Sequence, residues 1–559
     1  MTTAKQFSPR PLPVLIVGAG PTGLTLAHLL QKYGVEHRLI ERRATLSRHT
    51  KATNLMQRSQ EVLHALDLLA PLDAISGHCK RLMVEGYGQA FGPRSVHLSN
   101  SPFQDILFCG QHNFEAVMAE ALKERGGQIE FGTALGTLKQ VEGGVLAEIT
   151  GPDGPEQLLC EYVIGCDGAS GITRTFTRLD FKPVKTGVGL RQVDCKLRWR
   201  RLSSMEQMWL FYFDHGFGVV VPLPGGVHRI ITAEPKANIP QRDPTLLEMQ
   251  KKLREVAGDD SVQLSDPDWF SYTDLSMGIA PGLRDGRILL TGDAGNPILP
   301  NGGQGMNTGI SDAFNLGWKL ASVLLHGGAD ALLDSYDTER HTLRAGLEKA
   351  QYSSLKYTTE VTPAWMQGLL RTFGNPLLNL GGEGQLAQSF SQLTINTRKS
   401  PLTLETAGRS GLRAGDRALD ADVVRGFEEV KLYDLIYAGG WTLLAFTGTK
   451  KDDQAALLGA VKTLGRPDLA CYVISTASKV GTGLEVLYDL DELAHRTYGL
   501  TTPTLLLVRP DGHVGARVRP AEIATLVAYA QRWIPLGALS GAVGRQSRSD
   551  PALNVVMGG

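Results

Sequence analysis

The first ordered pattern in the chain is an unbroken aliphatic run, Val14 to Val17, with no polar alternation. Strands buried on both faces read this way, and they occur in parallel sheets covered by helices. Leu24 to Tyr33 then repeats apolar residues at helical spacing, and Val35 to Ile40 is again strand-like. Together these predict one βαβ unit, whose right-handed crossover begins a doubly wound sheet. Helical periodicity returns at Ser59 to Leu69 and at Asn113 to Arg125. Strand-like stretches at Gln128 to Phe131, Val145 to Ile149 and Tyr162 to Cys166 lead back toward the same sheet.

From about Phe181 to Tyr272 the period changes to short alternating runs, rich in aromatic residues and broken by Pro and Gly. That texture predicts an antiparallel sheet inserted as a second domain. Trp209, Phe211, Phe213 and Phe217 alternate at strand spacing, which predicts their rings on one face of that sheet. Such a row is either core packing or the wall of a substrate cavity suited to a large flat molecule. Arg287 to Leu290 reads as a buried strand and Ser311 to Leu325 as a long helix. A third region from about Ser400 holds strands at Trp441 to Phe446, Ala470 to Ile474 and Thr504 to Val508, with a helix around Leu490 to Tyr498. Pro510-Asp511-Gly512 then forms a turn.

Charge changes this picture little. The 57 basic residues balance 57 acidic ones, so nucleic acid gains no bulk attraction. The basic cluster Arg198 to Arg201 around Trp199 is expected to be a solvated face. The six cysteines are scattered without a CxxC pair or metal-ligand spacing, which points to reduced thiols in the cytoplasm and to no metal site. The apolar runs are strand-sized, short of the ~20 residues that cross a membrane, and the N-terminal segment has no signal-peptide core.

The candidate chemistry begins at Gly18-Ala-Gly20-Pro21-Thr22-Gly23. In this fingerprint the first glycine permits a tight turn, the second lets backbone approach a pyrophosphate, and the third allows close helix–strand packing. The helix that follows offers free N–H groups and a positive dipole end to the phosphates. Glu41, with Arg42 after it, ends the second strand, where a carboxylate can accept ribose hydroxyls. A dinucleotide site follows from strand, glycines, helix and acid together.

Which dinucleotide is indicated by three further segments. Gly286-Arg-Ile-Leu-Leu-Thr-Gly-Asp293, then Pro300-Asn-Gly-Gly303-Gln-Gly305-Met306-Asn307, then Ser311-Asp-Ala-Phe-Asn-Leu-Gly-Trp-Lys-Leu320 resemble the group A flavoprotein monooxygenases. These are the aromatic hydroxylases related to p-hydroxybenzoate and phenol hydroxylase. Gly165-Cys-Asp167-Gly168-Ala-Ser-Gly-Ile-Thr-Arg174 matches the same family, as do Gln111 ahead of Glu115 and Leu333-Asp-Ser-Tyr-Asp-Thr-Glu-Arg340. The C-terminal segments Gly415-Asp-Arg-Ala, Lys431-Leu-Tyr-Asp-Leu435, Thr502-Pro503-Thr504 and Leu507-Val-Arg-Pro-Asp-Gly512 resemble the thioredoxin-like tail of phenol and polyketide hydroxylases. That tail lacks the CxxC pair here, so no thiol chemistry follows from it.

The resemblance implies an α/β protein in which residues 1–180 and 276–399 form a doubly wound FAD domain. Residues 181–275 would be a sheet-based substrate domain and 400–559 the thioredoxin-like tail. It implies FAD as cofactor, NADPH or NADH as reductant, and hydroxylation of an aromatic or polyketide-like substrate by molecular oxygen through a flavin C4a-hydroperoxide. A homodimer is left open. Asp293 would bond the ribityl chain; Gln111, Asp167, Gly168 and Lys51 would also serve the cofactors. The amides at Gly303, Gly305, Met306 and Asn307 would stabilise charge on the reduced ring, with Pro300 and Asn307 beside the reacting atoms. The chain departs from the family at Ala294-Gly295-Asn296, at Gly278 where an arginine is common, and at Lys51. His49, His112 and His215 are candidate proton carriers, each also an ordinary hydrogen-bonded histidine. Baeyer–Villiger insertion, epoxidation, decarboxylative hydroxylation and a non-catalytic FAD carrier remain alternatives. A flavin halogenase is not supported, because the chain has no Trp-x-Trp-x-Ile-Pro segment.

Overall fold

A computed structural model of the protein describes residues 10–48, 52–86, 89–98, 100–299, 303–359, 388, 390–408, 410–449, 454–466, 468–477 and 483–537. The strand Leu12–Val17 lies between His37–Glu41 and Gly154–Gly165, parallel to both. Ile129–Phe131 extends this sheet at one end, and Ile288–Leu290 with Arg284–Asp285 at the other. Both faces of the first strand are buried, as its unbroken aliphatic run predicts. Val14 and Ile16 meet the helices Pro21–Lys32, Gln111–Glu124 and Gln304–His326. Leu15 and Val17 meet the hairpin strands Ala134–Val141 and Gly144–Gly151.

The second sheet runs in the order Gln263–Met277, Val184–Arg198, Val227–Pro235, Gly216–Leu223, Gln207–Phe213, Arg81–Gly86, Gln89–Ser95. Arg81–Gly86 joins it in parallel with Gln207–Phe213. One face is covered by the helix Leu246–Ala257, through Met249 and Leu253. The sequence carries the signals for that helix: a Thr245–Glu248 capping box and the left-handed Gly258 at its end.

The predicted row of four rings is broken. Trp209 and Phe211 pack with Trp199, Val220, Met249 and Leu253 under the helix, and Lys252 Nζ lies 5.0 Å from the centre of the Phe213 ring. Phe217 lies on the opposite face, with Leu299 and Leu355. The cause is the two-residue turn Asp214-His215, with His215 at φ 65°. It pairs Phe213 with Gly216 and Tyr212 with Phe217, so odd positions on one strand oppose even positions on the next. The Arg198–Arg201 cluster is also only partly a solvated face. Arg201 stacks over the rings of Trp199 and Trp209 at 5.1 and 4.9 Å and pairs with Glu85.

The third sheet belongs to the tail. Thr442–Phe446 is parallel to Ala470–Ser475 and antiparallel to Thr504–Val508, which pairs with Val514–Val518. With the helices Gln454–Leu464 and Ile523–Trp533 this is the thioredoxin-like arrangement. Its Cys471 thiol is free and pushed up to about 11 by burial, which leaves little reactive thiolate at neutral pH.

The turn after Thr504–Val508 enters the first domain and is fully buried there. Arg509 donates to both oxygens of Glu339 at 2.7 and 3.0 Å. Asp511 accepts from Asn315 at 3.1 Å and from the Trp318 indole at 3.2 Å. Its backbone carbonyl accepts from Arg58 at 2.7 Å. Arg58 and the tail's Arg417 both bond Glu61, each at 2.7 Å. Among the described residues no helix is long and apolar enough to cross a membrane, and no cluster of His, Cys, Asp or Glu could hold a metal ion.

Candidate FAD and active site

The three glycines of the first turn serve three different purposes in the structure. Gly18 has φ +103°, and a Cβ there would lie 2.7 Å from the Cys166 carbonyl oxygen. A Cβ on Gly23 would lie 1.9 Å from the carbonyl oxygen of Gly18, so the helix can meet the strand only through glycine. A Cβ on Gly20 meets nothing within 4 Å. Gly20 is therefore not required by protein packing, and it borders open space at the start of the helix Pro21–Lys32. That helix has no side-chain cap and no acid in its first turn, so its N–H groups and dipole face this space unneutralised.

Thr22, in the same turn, draws the other motifs together. A Cβ on Gly292 would lie 2.6 Å from Thr22 Oγ1, and one on Gly309 would lie 2.2 Å from it. Two glycines thus let the Gly292-Asp293 turn and the helix Gln304–His326 close onto the first turn. Gly18 brings Cys166 and Asp167 there as well. Asp312 fixes the arrangement. Its Oδ2 accepts the Gly292 amide at 3.1 Å and pairs with Arg344, and its Oδ1 accepts from Arg340 at 2.5 Å. Arg344 also donates to the Asn296 carbonyl at 2.7 Å. The Asn296 side chain accepts the Ala280 amide at 2.7 Å. The departure Gly295-Asn296 therefore ties this loop to Ala280.

Asp293 is half-buried, and its carboxylate faces the opening of the helix Gln304–His326: a Cβ on Gly305 would lie 4.0 Å from its Oδ1. Burial raises its pKa above the ordinary aspartate value, with Asp312 adding to the effect and Arg344 opposing it. A hydroxyl donor would be favoured there. The helix starts at left-handed Gly303 (φ +67°), again without a side-chain cap or a first-turn acid.

Glu41 accepts the Ala19 amide at 3.0 Å, and the Arg43 amide and guanidinium at 3.0 and 2.9 Å. Burial opposes its charge, but these donors hold its pKa below the ordinary glutamate value. Arg43, which the sequence did not single out, is thus the arginine bound to Glu41, and both it and Arg42 are exposed. Gln111 donates to Glu115 at 2.8 Å. Asp167 accepts from the Thr173 amide and hydroxyl at 2.8 and 2.9 Å, and its Oδ1 is buried without a partner among the described residues. Gly168 has φ +77° and open space around it. Met306 is buried in the core.

Asn307 has all its side-chain groups engaged. It accepts from Met56 N and Ser59 Oγ at 2.8 and 2.7 Å and donates to the Asn54 and Gly303 carbonyls at 2.9 and 2.7 Å. Its side chain braces the Asn54–Ser59 segment against the helix start. Pro300, Lys51 and His49 lie outside the described residues. His112 sits in the first turn of its helix, and His215 forms the hairpin turn.

These features fit FAD: open space at Gly20, two uncapped helix starts, an unpartnered Asp167 oxygen and a buried Glu41. Residues 11–350 match the model of the family described as FAD binding domain. The chain belongs to this family, as a group A FAD-dependent monooxygenase. It uses FAD with NAD(P)H. A flavin-dependent monooxygenase of Mycobacteroides abscessus is 27% identical over 93% of this chain and 99% of its own length. A rifampicin monooxygenase of Streptomyces venezuelae is 34% identical over 59% of this chain and 68% of its own. The solved structure of an anhydrotetracycline hydroxylase from Streptomyces rimosus superposes with a TM-score of 0.71 at 27% identity, covering 94% of this chain and 99% of that one.

Proposed function

We propose that this monooxygenase hydroxylates a flat, polyketide-like polycycle held between the second sheet and the flavin ring. The observation that carries this reading is that the Gly292-Asp293 turn closes onto Thr22 while Leu299, in the loop after Asp293, packs against Leu190 and Phe217 on the apolar face of that sheet. The similarity to enzymes named for rifampicin and anhydrotetracycline supports a polycycle over a simple phenol. Bound here, FAD would supply the redox chemistry that links NAD(P)H to dioxygen. The chain's own share is to hold the pyrophosphate at Gly20 and the first helix start, the ribose at Glu41, and the ribityl chain at Asp293. The amides of Gly303 to Asn307 stabilise negative charge on the reduced ring. The six free cysteines support a reducing compartment, the cytoplasm.

The test is NADPH consumption by the FAD-loaded protein, with and without anhydrotetracycline and a panel of hydroxyanthraquinones. Stimulated consumption with a product heavier by one oxygen atom is expected. A flat NADPH trace across the panel argues for a non-catalytic flavoprotein, and a ring-expanded ester among the products would mean Baeyer–Villiger insertion.

Asp293→Ala removes one charge-assisted hydrogen bond to the ribityl chain. FAD affinity should fall about ten- to a hundredfold, from roughly 1.5–3 kcal/mol. Titration of the apoprotein measures it; wild-type affinity would show that Asp293 does not hold FAD.

A further inference from the structure

The face of the second sheet that meets the FAD domain is apolar over most of its area. Leu190, Phe217 and Ala233 pack with Leu299, in the loop after Asp293, and Leu210, Tyr212 and Val219 lie against the cluster holding Met56 and Phe108. Strand register puts Gln192 on this face. It is opposed by Ile231 on one side and Ser271 on the other, and it is two residues along the strand from Leu190. The residue is 1% exposed, and its Nε2 has no hydrogen-bond partner among the described residues. Thr273, opposite Leu190, shares the face, and its Oγ1 is likewise buried and unpartnered. The charged pair on the same face is complete: Arg229 donates to Asp194 at 2.7 and 2.6 Å and lies over the Trp269 ring at 5.1 Å.

A buried amide nitrogen without a partner destabilises the fold, and such groups in native proteins call for a specific explanation. Apolar pockets recognise ligands through a few polar groups placed in this manner. We propose that Gln192, with Thr273 beside it, determines substrate specificity by donating to a carbonyl or phenolic oxygen of a flat polycycle lying on the Leu190–Leu210–Phe217 surface. This rests on the hydroxylase reading above. Donation requires the amide: a carboxylate at this position accepts only and repels a quinone or phenolate oxygen.

The experiment compares wild type, Gln192→Met, Gln192→Glu and Thr273→Val as holoenzymes. The probe is 1,8-dihydroxyanthraquinone, titrated by quenching of protein fluorescence. Gln192→Met and Gln192→Glu should each weaken probe binding about tenfold or more, and Thr273→Val about threefold, with FAD affinity unchanged. Without probe, Gln192→Met should melt at or above the wild-type temperature, because it removes an unpaired donor at nearly constant volume. A melting temperature several degrees lower would reveal a structural partner for Gln192 and overturn the proposal. So would a parallel loss of FAD affinity, equal probe affinity in wild type and Gln192→Met, or no binding by wild type. Gln192-dependent probe binding without any substrate-stimulated NADPH oxidation would sustain this inference while defeating the hydroxylase reading.

Discussion

Arg509→Ala is expected to lower stability by about 3–5 kcal/mol and to lower the FAD content of the purified protein with it. The side chains of Arg509, Glu339 and Asp511 are each no more than 1% exposed, and the Arg509 guanidinium is the shared partner of both carboxylates. Removing it leaves two buried negative charges facing each other beside the Trp318 ring, with Lys319, Asn315, Ser400, His513 and the Trp318 indole, among the described residues, to compensate. The damage should reach the flavin because Asp511 and Glu339 hold Asn315, Trp318 and Lys319 on the same helix whose first turn opens onto Asp293. Thermal melting of the holoenzyme, followed by both flavin fluorescence and circular dichroism, checks this. A variant that melts like wild type with full FAD would mean that the tail is attached to the core by something other than this network.

The same network sets an acid limit. Burial alone would raise the pKa values of Glu339 and Asp511, but Arg509, together with Lys319 at Glu339 and His513 at Asp511, holds both below the usual carboxylate range. Depressed folded-state values mean that the unfolded chain binds more protons as pH falls. Their stabilisation is complete above the unfolded glutamate and aspartate values near 4 and is lost progressively below them. Wild type should therefore lose melting temperature below about pH 4.5. In Arg509→Ala the slope should be shallower, since the carboxylates no longer sit beside the guanidinium.

The second large effect is expected at Gly23. Gly23→Ala places a methyl group 1.9 Å from the Gly18 carbonyl oxygen, a backbone atom of the turn that leaves the first strand. Neither side can move without separating the helix from the sheet centre, so the variant should be recovered as insoluble or FAD-free protein. Gly20→Ala is the control. Its methyl group enters space with no protein atom within 4 Å, so the apoprotein should fold and melt as wild type. FAD affinity should nevertheless fall about ten- to a hundredfold, the cost of crowding a phosphate by roughly 1–3 kcal/mol. Equal FAD binding by Gly20→Ala and wild type would remove the pyrophosphate from this turn.

The sequence by itself determined the parts of this protein whose signal is local. Val14 to Val17, the glycine turn and Glu41 announce a βαβ nucleotide unit because each step depends only on near neighbours: strand burial, turn geometry, helix start. The capping box at Thr245–Glu248 was equally local and equally legible, although the all-strand reading passed over it. What only the tertiary structure decided depends on pairing between distant segments. Phe217 left the predicted row because a two-residue turn reverses parity between neighbouring strands, and register is not written in either strand alone. Arg43 is the arginine on Glu41, a pairing within one turn that backbone direction after the strand controls. Asn307 bonds residues some 250 positions away, at Met56 and Asn54. The segments Ser311 to Leu320 and Leu333 to Arg340, visible in the chain only as resemblance, acquire a physical reason when Asp312 and Lys319 meet Arg340 and Glu339 across two helices. Charges buried this deeply are stable only when folding delivers their partners, and no pattern within one segment encodes which partner will arrive.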